Sequence, residues 1–136
     1  MKRIVMTNDS LTQALIQAAD GEAAWVQELL AAGANPNGMP LIMAIQCGEL
    51  VIVEMMLRAG ADVNAHFSGT TPLIRAISST YPEIVILLIR AGADVNQAAP
   101  DGILPLTSAR AWGRANATAE EREQIVRQLI DAGAHE

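Results

Sequence analysis

The side chains able to do chemistry are few and far apart. The 136-residue chain carries one cysteine, Cys47, and two histidines, His66 and His135. A thiol nucleophile needs an activating base within hydrogen-bond reach, and neither histidine is placed to serve Cys47. Neither histidine has a Cys, Asp or Glu at metal-ligand spacing. Glycine-rich phosphate loops are missing. Trp25 and the Met55-Met56 pair fall at helical spacing and read as core filler rather than a ligand box. Cys47 reads as a small, half-buried side chain near the end of a short helix. These residues predict a protein that is not an enzyme and has no metal and no cofactor.

Charge narrows the partners. The net charge is -6, so no basic patch is available to displace counterions from phosphates, and nucleic acid is not expected. The longest strongly apolar run, Ile84 to Ile89, is far short of the roughly 20 residues of a membrane span. The opening MKRIVMTNDS has an apolar part of only Ile4, Val5 and Met6, unlike a secretory leader. A single cysteine fits a reducing compartment. The chain is expected to be soluble, cytoplasmic and monomeric, with no membrane contact.

What must position these residues is repetitive. The heptapeptide RAGADVN occurs as Arg58 to Asn64 and again as Arg90 to Asn96. Such self-similarity marks repeat architectures. Gly-Ala pairs stand at Gly33-Ala34, Gly60-Ala61, Gly92-Ala93 and Gly133-Ala134, each after an apolar stretch: VQELLAA, VEMMLRA, VILLIRA, VRQLIDA. Apolar residues at intervals of three and four predict one buried helix face. The glycine then ends the helix in a left-handed conformation. Arg58 and Arg90 suit the negative end of the helix dipole.

Upstream, Met39-Pro40-Leu41, Thr71-Pro72-Leu73 and Leu104-Pro105-Leu106 each open a further helix, since proline is tolerated in a first turn. Glu22, Glu49 and Glu83 fall near the starts of the second helices, and Gly21, Gly48 and Gly113 between the two helices. In the third unit Thr80 takes that glycine position. A β-branched residue disfavours positive φ, so a different turn led by Tyr81-Pro82 is expected there. Thr118-Ala-Glu-Glu121 has the pattern of a capping box restarting the final helix.

This arrangement resembles the ankyrin repeat, a turn and two antiparallel helices of about 33 residues with a T-P-L-H-x-A signature. The closest unit runs from Gly69-Thr-Thr-Pro-Leu-Ile-Arg-Ala76 through Tyr81 to Asn96, and the likeness covers about Leu11 to Ala134. It implies an all-α ankyrin-repeat solenoid of about four helix-turn-helix repeats with short β-hairpin-like turns, in a single domain, 1–136. The approximate repeat bounds are 8–37, 38–65, 66–97 and 98–136.

Departures from the signature are informative. Ile42, Ile74 and Thr107 replace its histidine, so the hydrogen bonds usual there must come from elsewhere or be lost. The link Asn35-Pro-Asn-Gly-Met39 is too short for a full hairpin finger. Extra residues lie around Arg114 to Glu123. Trp25 is expected to cover the open end of the first repeat, with Ile4 and Val5 over it. The last helix should turn Ile125, Val126, Leu129 and Ile130 inward and leave a polar outer face.

The resemblance implies binding to another protein through the concave face of the first helices and the finger tips. Carried over by position, the first-helix candidates are Ile16, Asp20, Met43, Gln46, Cys47, Arg75, Ser78, Ser79, Ser108 and Trp112. The finger candidates are His66, Phe67, Ser68, Pro100, Asp101 and Ile103. Phe67 is the only phenylalanine and falls where a turn tip should be polar. It is either an exposed binding anchor beside Arg75 or a ring folded back on its own finger. Trp112 is either part of the surface or covered by the insertion that follows. The expected function is a non-enzymatic protein-protein interaction module, a scaffold with an unidentified partner. The alternative is a dedicated inhibitor or toxin-neutralising, immunity-type protein that blocks a single target.

Overall fold

Helix formation follows from the apolar periodicity, and every described element is helical. The computed structural model describes residues 7–111 and 117–135. In chain order the helices are α1 (Asn8–Ala18), α2 (Ala23–Ala31), α3 (Met39–Gln46), α4 (Leu50–Arg58), α5 (Pro72–Ser79), α6 (Pro82–Arg90), α7 (Pro105–Ala111) and α8 (Ala119–Asp131). The chain divides into two compact units, residues 1–62 and 63–136.

In the first unit α1 pairs with α2 and α3 with α4; α1 also packs on α3 and α2 on α4. Its core is aliphatic: Leu15, Leu29, Leu41, Ile45, Ile52 and Met56 are fully buried. The second unit repeats the plan, with α5 on α6, α7 on α8, α5 on α7 and α6 on α8. Its fully buried side chains are Leu73, Ile77, Ile84, Leu88, Ile125 and Leu129. Each such burial contributes about 1.5–3 kcal/mol.

The four Gly-Ala stops share one geometry. Gly33, Gly60, Gly92 and Gly133 have φ between 98° and 99°. In each, the alanine N–H reaches back five residues and the glycine N–H three, as in Ala93 N to Leu88 O at 2.9 Å and Gly92 N to Ile89 O at 3.1 Å. These paired bonds form a Schellman motif, which satisfies carbonyls the helix end leaves open.

The asparagine that closes each repeat ties it to the next helix stop. In the first unit, Asn37 Oδ1 accepts from the Asp62 N–H at 2.6 Å. In the second, Asn64 Oδ1 accepts from the Asp94 N–H at 2.8 Å, and Asn64 Nδ2 donates to the Gly92 carbonyl at 3.3 Å. Asn96 does the same to the His135 N–H (2.9 Å) and the Gly133 carbonyl (3.2 Å). The heptapeptide is therefore both a helix stop and a splice, receiving one asparagine and supplying the next.

Thr80 corrects the sequence reading. The expected alternative turn does not form. Thr80 adopts the left-handed conformation itself, φ 59° and ψ 59°. Its bonds, Thr80 N to Ile77 O and Tyr81 N to Ala76 O, match those of Gly48 N to Ile45 O and Glu49 N to Ala44 O. Thr80 is 2% exposed, so burial of its side chain offsets a backbone strain of about 1–3 kcal/mol. Tyr81 and Pro82 serve as the N-cap and first residue of α6.

The restart at Thr118 is a true capping box: Thr118 Oγ1 accepts from the Glu121 N–H at 3.1 Å, and Glu121 Oε2 accepts from the Thr118 N–H at 3.0 Å. On α8 Ile125 and Leu129 face inward as expected, but Ile130 is 48% exposed. It lies too far round the helix to share their face. Trp25 is half-buried and borders a shallow hollow with Asp9, Ser10, Gln13, Ala14 and Gln17. Ile4, Val5, Trp112, Gly113 and the insertion's Arg114 to Asn116 lie outside the described residues.

Candidate functional site

The finger before α5 is built by a two-residue turn. Phe67 and Thr70 pair as an isolated antiparallel bridge, exchanging N–H···O bonds of 2.9 and 3.1 Å. Between them Ser68 and Gly69 both have positive φ, 53° and 77°. Two left-handed residues in a two-residue loop make a type I′ turn, whose twist matches that of paired strands. The finger is pinned at its base by Gln97, which the sequence reading did not single out. Gln97 Nε2 donates to the Asn64 carbonyl at 2.9 Å and lies 3.1 Å from His66 Nε2. Its only sequence signal is its place directly after the repeated heptapeptide.

Phe67 is 37% exposed, so part of its ring meets solvent at the finger. Thr71, the signature's own threonine, is the N-cap of α5. Its Oγ1 accepts from the Ile74 N–H at 3.2 Å and caps α5, while Thr70 Oγ1 donates to the Thr71 carbonyl at 3.2 Å. Ile74, at the histidine position, is buried, as is Ile42, whereas Thr107 is exposed.

The following finger, before α7, closes through Ala99 N to Ile103 O at 2.9 Å and Gly102 N to Ala99 O at 2.8 Å. Asp101 Oδ1 accepts from the Ile103 N–H at 3.1 Å and holds the tip. Pro100 and Asp101 are exposed. Four of the expected surface residues meet here. Ser78, Asp101, Ile103 and Ser108 line one recess of about 160 Å³, joined by Gly69, Ile74 and Ala99. Ser108 is 3% exposed. Ser78 Oγ donates to the Arg75 carbonyl at 3.2 Å. Arg75 is half-buried, and its Nε is buried without a hydrogen-bond partner. Ser79, at the C-terminal end of α5, is also half-buried.

In the first unit Met43, Gln46 and Cys47 lie along the end of α3; Gln46 and Cys47 are exposed and Met43 half-buried. Ile16 is half-buried at the end of α1, and Asp20 is exposed just after it. Cys47 was expected to be half-buried and is instead exposed, because it caps the helix rather than facing the core. Its Sγ lies 3.9 Å from Met43 Sδ. Local desolvation pushes the thiol pKa up, and the negative charges of Asp20 and Glu49 push it further. A thiol held protonated is a weak nucleophile. Among the described residues no group of three or more His, Cys, Asp or Glu side chains is placed to hold a metal ion. No described helix is long and apolar enough to cross a membrane.

A family model for ankyrin repeats, in three copies, matches residues 8–99. The chain belongs to the ankyrin-repeat family. Its fold class is accordingly the all-α, helix-turn-helix repeat of that family. The α7–α8 pair lies beyond the matched residues, yet it carries the same Gly-Ala stop and asparagine splice. No curated protein matches the chain. Ankyrin repeats are generally protein-protein interaction modules, and the family is typically non-enzymatic.

Proposed function

We propose that this ankyrin-repeat protein is a non-enzymatic binding module acting as a single domain over residues 1–136, and that it works as a soluble, cytoplasmic monomer. Its partner is a protein, neither nucleic acid nor membrane. Two observations of the second unit support the reading: a part-exposed Phe67 on a type I′ finger, and a recess lined by Ser78, Asp101, Ile103 and Ser108. Ser68, Arg75 and Ser79 are proposed to act with them. Met43 and Gln46 of the first unit, and Trp112, are proposed as further binding residues. Aromatic and arginine side chains dominate the energetics of protein interfaces. A finger fixed by its own bonds loses little ordering entropy on binding.

Affinity capture from a lysate of the source cell, with wild type beside a Phe67→Ala/Arg75→Glu variant of unchanged helicity, tests this. Loss of the captured protein with the variant supports the surface, and undiminished capture contradicts it. One dominant partner favours the single-target inhibitor form, and several lost together favour a scaffold.

A further inference from the structure

The recess between the two fingers and the helices α5 and α7 has a size and chemistry that select its occupant. We infer that it receives one side chain of the bound protein, a lysine or arginine, with an apolar stem inside and the cation at Asp101. This deepens the protein-binding reading and rests on it.

Size comes first. The recess holds about 160 Å³, close to the roughly 150 Å³ of a cavity that takes one benzene ring. Sites that bury small-molecule ligands or cofactors run to about 300–1,000 Å³. The occupant is therefore a single side chain.

The walls decide its character. Ile74, Ala99 and Ile103 supply an apolar lining, which favours methylene groups. Two of the polar groups, Ser78 and Asp101, offer acceptors. Ser78 Oγ spends its one proton on the Arg75 carbonyl, so a hydroxyl with one donor and two lone pairs offers the occupant only acceptance. Asp101, fixed by the Ile103 N–H, is an acceptor in its ionised form. A purely apolar occupant would strip water from this carboxylate without compensation. An acidic one would face it directly. A donor-bearing cation on an apolar stem satisfies both halves, and the net charge of -6 draws it in.

The test uses n-butylguanidinium as a probe of the arginine side chain, with 1-pentanol and pentanoate as neutral and acidic probes. Each is titrated at low salt into the intact protein, and NMR shifts are followed at Ile74, Ala99 and Ile103. Butylguanidinium is expected to saturate these shifts at about threefold lower concentration than 1-pentanol, the scale of an exposed ion pair. Pentanoate should bind weakest. Asp101→Asn should abolish the difference between the cationic and neutral probes, and Ser108→Leu, which fills the recess, should remove the shifts of both. Each variant is first shown to keep wild-type shifts in α1 to α4. Equal or tighter binding of 1-pentanol, a preference that survives Asp101→Asn, or no saturable shift overturns the inference. Such a failure leaves partner capture through Phe67 and Arg75 intact, so the two claims fail separately.

Discussion

Asn64 receives the Asp94 N–H on its Oδ1 at 2.8 Å and reaches the Gly92 carbonyl with its Nδ2 at 3.3 Å, across 30 and 28 residues of sequence. One amide side chain thereby serves a donor and an acceptor that the α6 stop leaves open. Asn64→Ala should lower stability by about 1–2 kcal/mol, the scale of two partly exposed bonds. Denaturant unfolding checks this, and Asn96→Ala should cost a similar amount because it makes the same two kinds of bond. Unchanged midpoints in both variants would show that the splice contributes nothing.

The helix stops make a second prediction. Gly92 has φ +99°, and an added Cβ would meet nothing within 4 Å. Gly92→Ala therefore carries a backbone cost without a steric one, about 1–2 kcal/mol. A clash would cost more, and a loss below about 0.5 kcal/mol would mean that the left-handed geometry is not required. Unfolding of the purified variant distinguishes these results.

The capping box at α8 is the third. Thr118→Ala removes the acceptor for the Glu121 N–H and should cost about 1 kcal/mol. Thr118→Ser keeps the hydroxyl and should be close to wild type. Thermal melts followed by circular dichroism compare the two.

Cys47 is the fourth. Its pKa is raised by desolvation, then by Asp20 and Glu49. The thiol should react slowly with iodoacetamide near neutral pH despite its exposure, and Asp20→Asn with Glu49→Gln should speed the reaction. The sign for stability follows from the same shift. An unfolded thiol ionises first, so this group's contribution is whole below the unfolded pKa and is lost as pH rises through the folded one. Rates measured across alkaline pH check the direction, and a thiol reacting like a free cysteine refutes it.

Much of the fold was legible because its determinants are local. Apolar spacing marked the helix faces, and Gly33, Gly60, Gly92 and Gly133 marked their ends. Thr118 and Glu121, three residues apart, announced their cap. The asparagine splice was hidden because its partners lie 25 to 39 residues away. Thr80 misled because local propensity disfavours left-handed threonine, while tertiary burial sustains it. Ile130 misled because an apolar residue within a periodic stretch can still fall off the buried face. At the candidate site, Ser78, Asp101, Ile103 and Ser108 were picked out singly by analogy with a repeat. Their convergence with Ile74 and Ala99 in one recess needed the fold. Gln97 carried no motif at all.

The second unit's fingers and the α5 surface are proposed to contact a partner protein. Hydrogen–deuterium exchange of the protein with and without the captured partner tests it most directly. Slowed exchange is expected in the backbone around His66 to Thr70, at Ser78 and Ser79, and around Ala99 to Ile103. Protection confined to α4 or α8, with those segments unchanged, would contradict it.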